Sequence, residues 1–254
     1  MFIRNYLVTD FDISLFFQFR DLLDEEAVKI GVANKPELYQ FIGNNALSDS
    51  RFAGLVPCDQ YNRAVKNKTF LHTLNTKALV TVTSLPLPKF FDCLEDSEKA
   101  ELFKDEYLIR KLPAYHIGNM LERSKKIRKV LDKQSIEVGL KTHPDLFKSL
   151  GSETLADKDF LALLDCSALK KASNDVEFLR SLNATELIAM TSLTGISSND
   201  GTHEDFFGCL DETEGKVLFG DRTLIRKLTT EHIAGMCNYP KTSLYMDGTA
   251  VNFF

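Results

Sequence analysis

One arrangement of apolar and polar positions recurs along the chain. Phe70-Leu71-His72-Thr73-Leu74, then five residues ending at Leu79, sets the pattern apolar-apolar-x-x-Leu-x-x-x-x-apolar. It fits Leu38–Leu47, Leu108–Ile117, Leu146–Leu155, Phe160–Leu169, Phe178–Leu187 and Leu224–Ile233. Weaker versions start at Phe19, Phe52, Phe90, Ile127 and Phe206. Twelve units result, starting every 14 to 20 residues except across one gap of 28. The first half of a unit places three apolar side chains within about one helical turn. The residue after the leucine is often a helix N-cap type or a breaker: Asn75, Gly151, Asp165, Asn183, Asp211 and Thr229. A short polar side chain there accepts orphan backbone N–H bonds. Glu186 stands where a capping box needs it, three residues after Asn183. Each unit is therefore predicted as a short helix, a tight corner and a second short helix. No such unit buries its apolar face alone, so stacked neighbours must share one core.

The units belong to a larger repetition. FFDCLEDSEKAELFKDEYLIRKLPAYHIGNM at 90–120 and FFGCLDETEGKVLFGDRTLIRKLTTEHIAGM at 206–236 share 16 of 31 positions without a gap. Upstream, 30–85 and 138–193 share 18 of 56 positions. The offset changes from 108 to 116, which places eight extra residues near Gly195–Asp205 in the second copy. Leu79-Val80-Thr81-Val82-Thr83 alternates like a strand, but its partner Leu187-Ile188-Ala189-Met190-Thr191 suits a helix. Helix is the expectation for both, because homologous copies share structure. Phe at 52, 70, 90, 91, 160, 178, 206 and 207 falls on the first or second apolar position of units, as interlocking packing requires.

The expected fold is all-α: a curved solenoid of short helix–turn–helix units in two homologous halves. Residues 1–17 are expected to cap it, 18–125 and 126–239 to form the halves, and 240–254 to form a C-terminal cap or tail. The halves are expected to pack as one continuous domain. In the tail, Phe253-Phe254 is read as folded back rather than offered as a ligand to a groove elsewhere. The spacing is not the roughly 34 residues of TPR, 33 of ankyrin, or 40 to 47 of HEAT and armadillo repeats. LTTEHIAGM at 228–236 is loosely similar to the first helix of TAL-effector repeats, but no glycine pair follows and the chain is not basic. That likeness is treated as coincidence.

Composition adds bounds. The 254 residues are 44% hydrophobic and 26% charged with a net charge of −5, an ordinary globular balance. An acidic average argues against coating nucleic acid or anionic membrane through bulk charge. No apolar run reaches the length of a membrane-spanning helix, and Arg4, Asp10 and Asp12 interrupt any signal-peptide stretch. Five scattered cysteines without a C-x-x-C pair suggest free thiols and a cytoplasmic or other reducing compartment, with signal-free export left open.

Candidate chemistry is sparse. Cys93/Cys209, Cys58/Cys166 and His116/His232 occupy matched places, which shared ancestry explains without a thiolate–imidazole pair or a zinc site. Arg110-Lys111 and Arg226-Lys227 fill the x positions of LIRKL, and Lys129, Lys148 and Arg180 take related slots. Stacking would align these into a basic ridge facing solvent. In the insertion, His203, Asp200 and Asp205 are weak metal candidates, with Asn199 and Glu204 beside them, but their spacing is not that of an EF-hand. A solvent-exposed loop is the expectation there. No cofactor is implied. The expected function is non-enzymatic: a helical-repeat scaffold or adaptor holding another protein on its surface. The alternatives are nucleic-acid binding along the ridge, and an enzyme with a site at the seam between halves.

Overall fold

A leucine corner ends one helix and lets the next begin. In the computed structural model, Leu74, Leu112, Leu131 and Leu182 are helix C-caps in extended conformation. Each donates its amide N–H to the carbonyl three residues back. That tight bond satisfies a carbonyl the helix would otherwise leave open. The following residue turns the chain into a new helix. All six positions expected as caps, Asn75, Gly151, Asp165, Asn183, Asp211 and Thr229, are N-caps. Asn183 and Glu186 close a capping box, and Asp211 and Glu214 close a second one that the sequence reading overlooked.

The structure describes residues 44–84, 89–197 and 203–237, with positions 26, 30, 31 and 34. The expected caps at 1–17 and 240–254 lie outside them. The described residues are mostly helical. Their strands are one short antiparallel pair, β1 (Ile196–Ser197) and β2 (His203–Glu204). The chain divides into two compact units at 102/103, upstream of the 125/126 join between the expected halves. Described helices of the first are α1 (Asn44–Leu47), α2 (Ser50–Leu55), α3 (Cys58–Lys66), α4 (Lys68–Thr73), α5 (Thr76–Thr83), α6 (Lys89–Asp92) and α7 (Asp96–Phe103). The second begins with α8 (Glu106–Lys111), α9 (Ala114–Arg123), α10 (Lys125–Val130), α11 (Lys133–Thr142) and a 3₁₀ turn (Leu146–Ser149). It continues with α12 (Ser152–Leu155), α13 (Lys158–Leu161), α14 (Cys166–Ser173), α15 (Val176–Ser181) and α16 (Ala184–Thr191). After the strands come α17 (Phe206–Cys209), α18 (Glu212–Gly220), α19 (Arg222–Ile225) and α20 (Thr230–Met236).

Helix bounds recur at the offsets of the internal sequence match. α1 and α12, α4 and α15, and α5 and α16 begin and end 108 residues apart. α8 and α19, and α9 and α20, begin 116 apart. The alternating segment Leu79–Thr83 lies in α5, so helix prevails over its β-branched composition. The insertion is closed at its base by Phe206 N–H donating to the Leu193 carbonyl at 3.0 Å. It is not wholly the exposed loop expected: its ends pair as β1 and β2, and Ile196 is buried.

All eight recurrent phenylalanines are buried, Phe206 and Phe207 completely. Phe90 stacks edge-on against Tyr61 and Phe91, and Phe206 against Phe207. Close backbone approach matters at two glycines. A Cβ on Gly151 would collide with the Glu122 carboxylate. That carboxylate, reaching over from α9, accepts the Glu153 and Thr154 N–H groups at 3.0 Å each and so caps α12 in place of the side chain Gly151 lacks. Gly118 on α9 lies against the Ser149 carbonyl, and a Cβ would overlap it. Gly118→Ala must push α9 off the 3₁₀ turn and is expected to cost about 1–3 kcal/mol, read as a lower urea midpoint.

The cysteines correct the sequence reading. Cys58–Cys93 and Cys166–Cys209 are disulfides, with Cα–Cα separations of 5.0 and 4.9 Å, and Cys237 is in neither. The expectation of thiols failed because it rested on sequence spacing. Partners 35 and 43 residues apart meet because α3 packs on α6 and α14 on α17. Both bridges join matched positions, whereas Cys237 is matched to Leu121.

Candidate binding surface

The second unit uses its helix caps twice. Asp132, Asp157, Asp175 and Asp221 each turn one carboxylate oxygen to the opening N–H groups of α11, α13, α15 and α19. The other oxygen takes a cation from an earlier helix or corner. Lys104 reaches Asp132 at 2.9 Å, Arg128 reaches Asp157 at 2.8 Å, Lys148 reaches Asp175 at 2.7 Å and Arg180 reaches Asp221 at 2.9 Å. Lys170 approaches the Asp211 cap at 3.8 Å and Glu214 at 3.5 Å. Charge at a cap also complements the helix dipole, so one residue serves local and long-range order together.

The expected ridge residues divide against this background. Lys148 and Arg180 belong to the ladder. Arg110 pairs with Glu106 on its own helix, and Lys111 lies 4.4 Å over the Tyr107 ring. Lys227 donates its ammonium to the Arg180 and Leu182 carbonyls, at 2.6 Å to Leu182. Lys129 and Arg226 are exposed. Five of the seven, Arg110, Lys129, Lys148, Arg180 and Arg226, are exposed, and Lys111 and Lys227 are half-buried.

His116 is buried on α9, and His232 makes a 2.7 Å hydrogen bond with the Thr191 hydroxyl. Burial holds both below the usual imidazole value, aided at His116 by the Arg123 charge. Cys93 and Cys209 are spent in disulfides, so neither supplies a thiolate. Of the weak metal candidates, Asp200 and the His203 side chain lie outside the described residues, and Asp205 caps α17 by accepting the Gly208 N–H. Among the described residues no group of three or more metal-ligating side chains comes together. No helix there is long and apolar enough to cross a membrane.

The ladder sets a direction for pH dependence. Lys104 and Lys148 hold Asp132 and Asp175 below the usual carboxylate range, and Lys141 does the same for Glu106. At Asp157 and Asp221 burial pushes upward, but cap N–H groups and the Arg128 and Arg180 guanidinium groups outweigh it. A lowered folded value means that the unfolded chain takes up the proton first as pH falls. Stability is thus expected to decline below about pH 6.5, where the histidines begin to charge in the unfolded chain, and more steeply below about pH 4, as the carboxylates follow. Thermal melts from pH 7 to 2 check this; a flat profile contradicts it.

A groove of about 420 Å³ lies between α11 and the start of α14. It is lined by Ile136, Leu140, Leu163 and Ala168 together with the polar and charged Lys133, Glu137, Lys141, Asp165, Ser167 and Lys171. The sequence reading missed it, because its two sides come from different units of the pattern. A helical hydrophobic face shows where apolar residues lie, and not where two faces part. No protein-family profile, no curated protein and no solved structure matches the chain.

Proposed function

We propose that the chain is a non-enzymatic helical-repeat scaffold that holds another protein on its surface. Its units stack as a curved solenoid of two homologous halves, and duplication of an ancestral half accounts for their likeness. Helix bounds and disulfide positions recurring at the sequence offsets support that origin. The observation that carries the functional reading is the groove between α11 and α14, where half-buried Leu140 and Leu163 stand among charged side chains, a mixed lining that a peptide segment can occupy. The cation ladder weighs against a nucleic-acid ridge, since Lys148 and Arg180 are already matched by carboxylates. The disulfides favour an oxidising compartment over the reducing one expected from cysteine spacing.

Crosslinking mass spectrometry on the full chain purified from its native host tests the scaffold. Protein partners joined to its lysines, and retained after nuclease treatment, are expected. Loss of every partner on nuclease treatment would overturn it in favour of nucleic acid.

A further inference from the structure

The two disulfides join matched positions, but water reaches them unequally. Cys58 is exposed and Cys93 half-buried. Cys166 and Cys209 are buried, at 8% and 4% exposure. Each bridge also lies within one compact unit, Cys58–Cys93 in the first and Cys166–Cys209 in the second. The short helix beside each bridge is anchored differently as well. The four-residue α6 ends beside Cys93, and its Phe90 and Phe91 are buried without being wholly sealed, Phe90 meeting Tyr61 of α3 edge-on. The four-residue α17 keeps Phe206 and Phe207 completely buried, and the Phe206 N–H donates to the Leu193 carbonyl.

From this we infer that Cys58–Cys93 is a redox switch: a dithiol reductant opens it and loosens the first unit, while Cys166–Cys209 stays closed. The switch goes beyond the scaffold reading and does not depend on it. A thiolate of the reductant attacks the Cys58 sulfur, the S–S bond breaks, and Cys93 leaves as a thiolate that takes a proton from water. The reductant's second thiolate attacks its own sulfur in the mixed disulfide and releases Cys58, which is protonated in turn. Two electrons and two protons thus pass to the cysteine pair, and the reductant closes its own disulfide. Access governs the first attack. The exposed bridge therefore reacts in the folded chain, whereas the buried one waits for the second unit to open. Without its bridge, α6 is too short to persist alone and depends on the burial of Phe90 and Phe91.

Timed exposure of the oxidised full chain to dithiothreitol tests this, with thiols trapped by N-ethylmaleimide in denaturant and located by peptide mass spectrometry. Before reductant is added, neither pair is expected to label. Cys58 and Cys93 are then expected to label at least about tenfold faster than Cys166 and Cys209. Hydrogen exchange at that stage is expected to quicken in the first unit while the second keeps its protection. Cys58→Ser with Cys93→Ser is expected to show the same exchange pattern without reductant. Labelling of Cys58 or Cys93 before reductant, equal rates for the two pairs, or faster opening of Cys166–Cys209 would overturn the switch. So would selective reduction that leaves exchange in the first unit unchanged, or loss of protection in both units together.

Discussion

Reducing the disulfides is expected to remove about 4 kcal/mol of stability for each bridge. Cys58–Cys93 and Cys166–Cys209 close loops of 35 and 43 residues. In the chain-entropy account, loops of that length restrict the unfolded chain by about 4 kcal/mol each. Both anchor points are short helices: α6 and α17 have four residues each. A four-residue helix has no stability of its own, so the bridge and the buried phenylalanines beside it hold it in place. Domains of ordinary size are stable by about 5–15 kcal/mol in all. The reduced chain is therefore expected to unfold tens of degrees lower, or to be unfolded at 37 °C. Replacing Cys166 and Cys209 by Ser should reproduce half of the loss. Equal melts with and without reductant would contradict this and return the protein to free thiols.

The second large effect is expected at Arg128. Its side chain is 5% exposed and its Asp157 partner 13%, a pair withdrawn from water. The guanidinium also donates to the Leu121 carbonyl at 2.6 Å and the Glu122 carbonyl at 3.3 Å, where α9 ends. One residue thus ties the end of α9 and α10 to the cap of α13. Arg128→Ala leaves a buried carboxylate without its counter-charge and two carbonyls without a donor. The expected cost is about 3–5 kcal/mol, as for other broken buried pairs. Arg128→Met combined with Asp157→Asn removes both charges and keeps a cap acceptor, so it should recover most of the loss. Urea denaturation of the three proteins measures this, and a double variant as unstable as Arg128→Ala would contradict it.

The helical units were legible because their signals are local. A leucine four residues after an aromatic, followed by Asn or Asp, specifies a corner through its own backbone, and Leu74-Asn75 and Leu182-Asn183 both turn as read. Phenylalanines at fixed positions in units were legible as core for the same reason. The disulfides were not legible, because Cys58 and Cys93 become neighbours only when α3 packs on α6. Arg128, in the run KKIRKV, resembles any surface cation. Its burial depends on Asp157, 29 residues away. Lys148 and Arg180 were legible as cations in equivalent slots, but the caps they meet lie one or more units ahead and were not. The groove was illegible, since a space between helices leaves no mark on either.

The central claim is that the cations paired with helix caps hold the fold, whereas Lys129 and Lys171, which meet no carboxylate among the described residues, do not. Thermal melting of two double variants tests it most directly. Lys148→Glu with Arg180→Glu sets like charges against Asp175 and Asp221. A loss of several degrees is expected. Lys129→Glu with Lys171→Glu makes the same change in net charge and is expected to leave the melting temperature where it was. Equal losses in the two variants, or a larger loss in the second, would contradict the account.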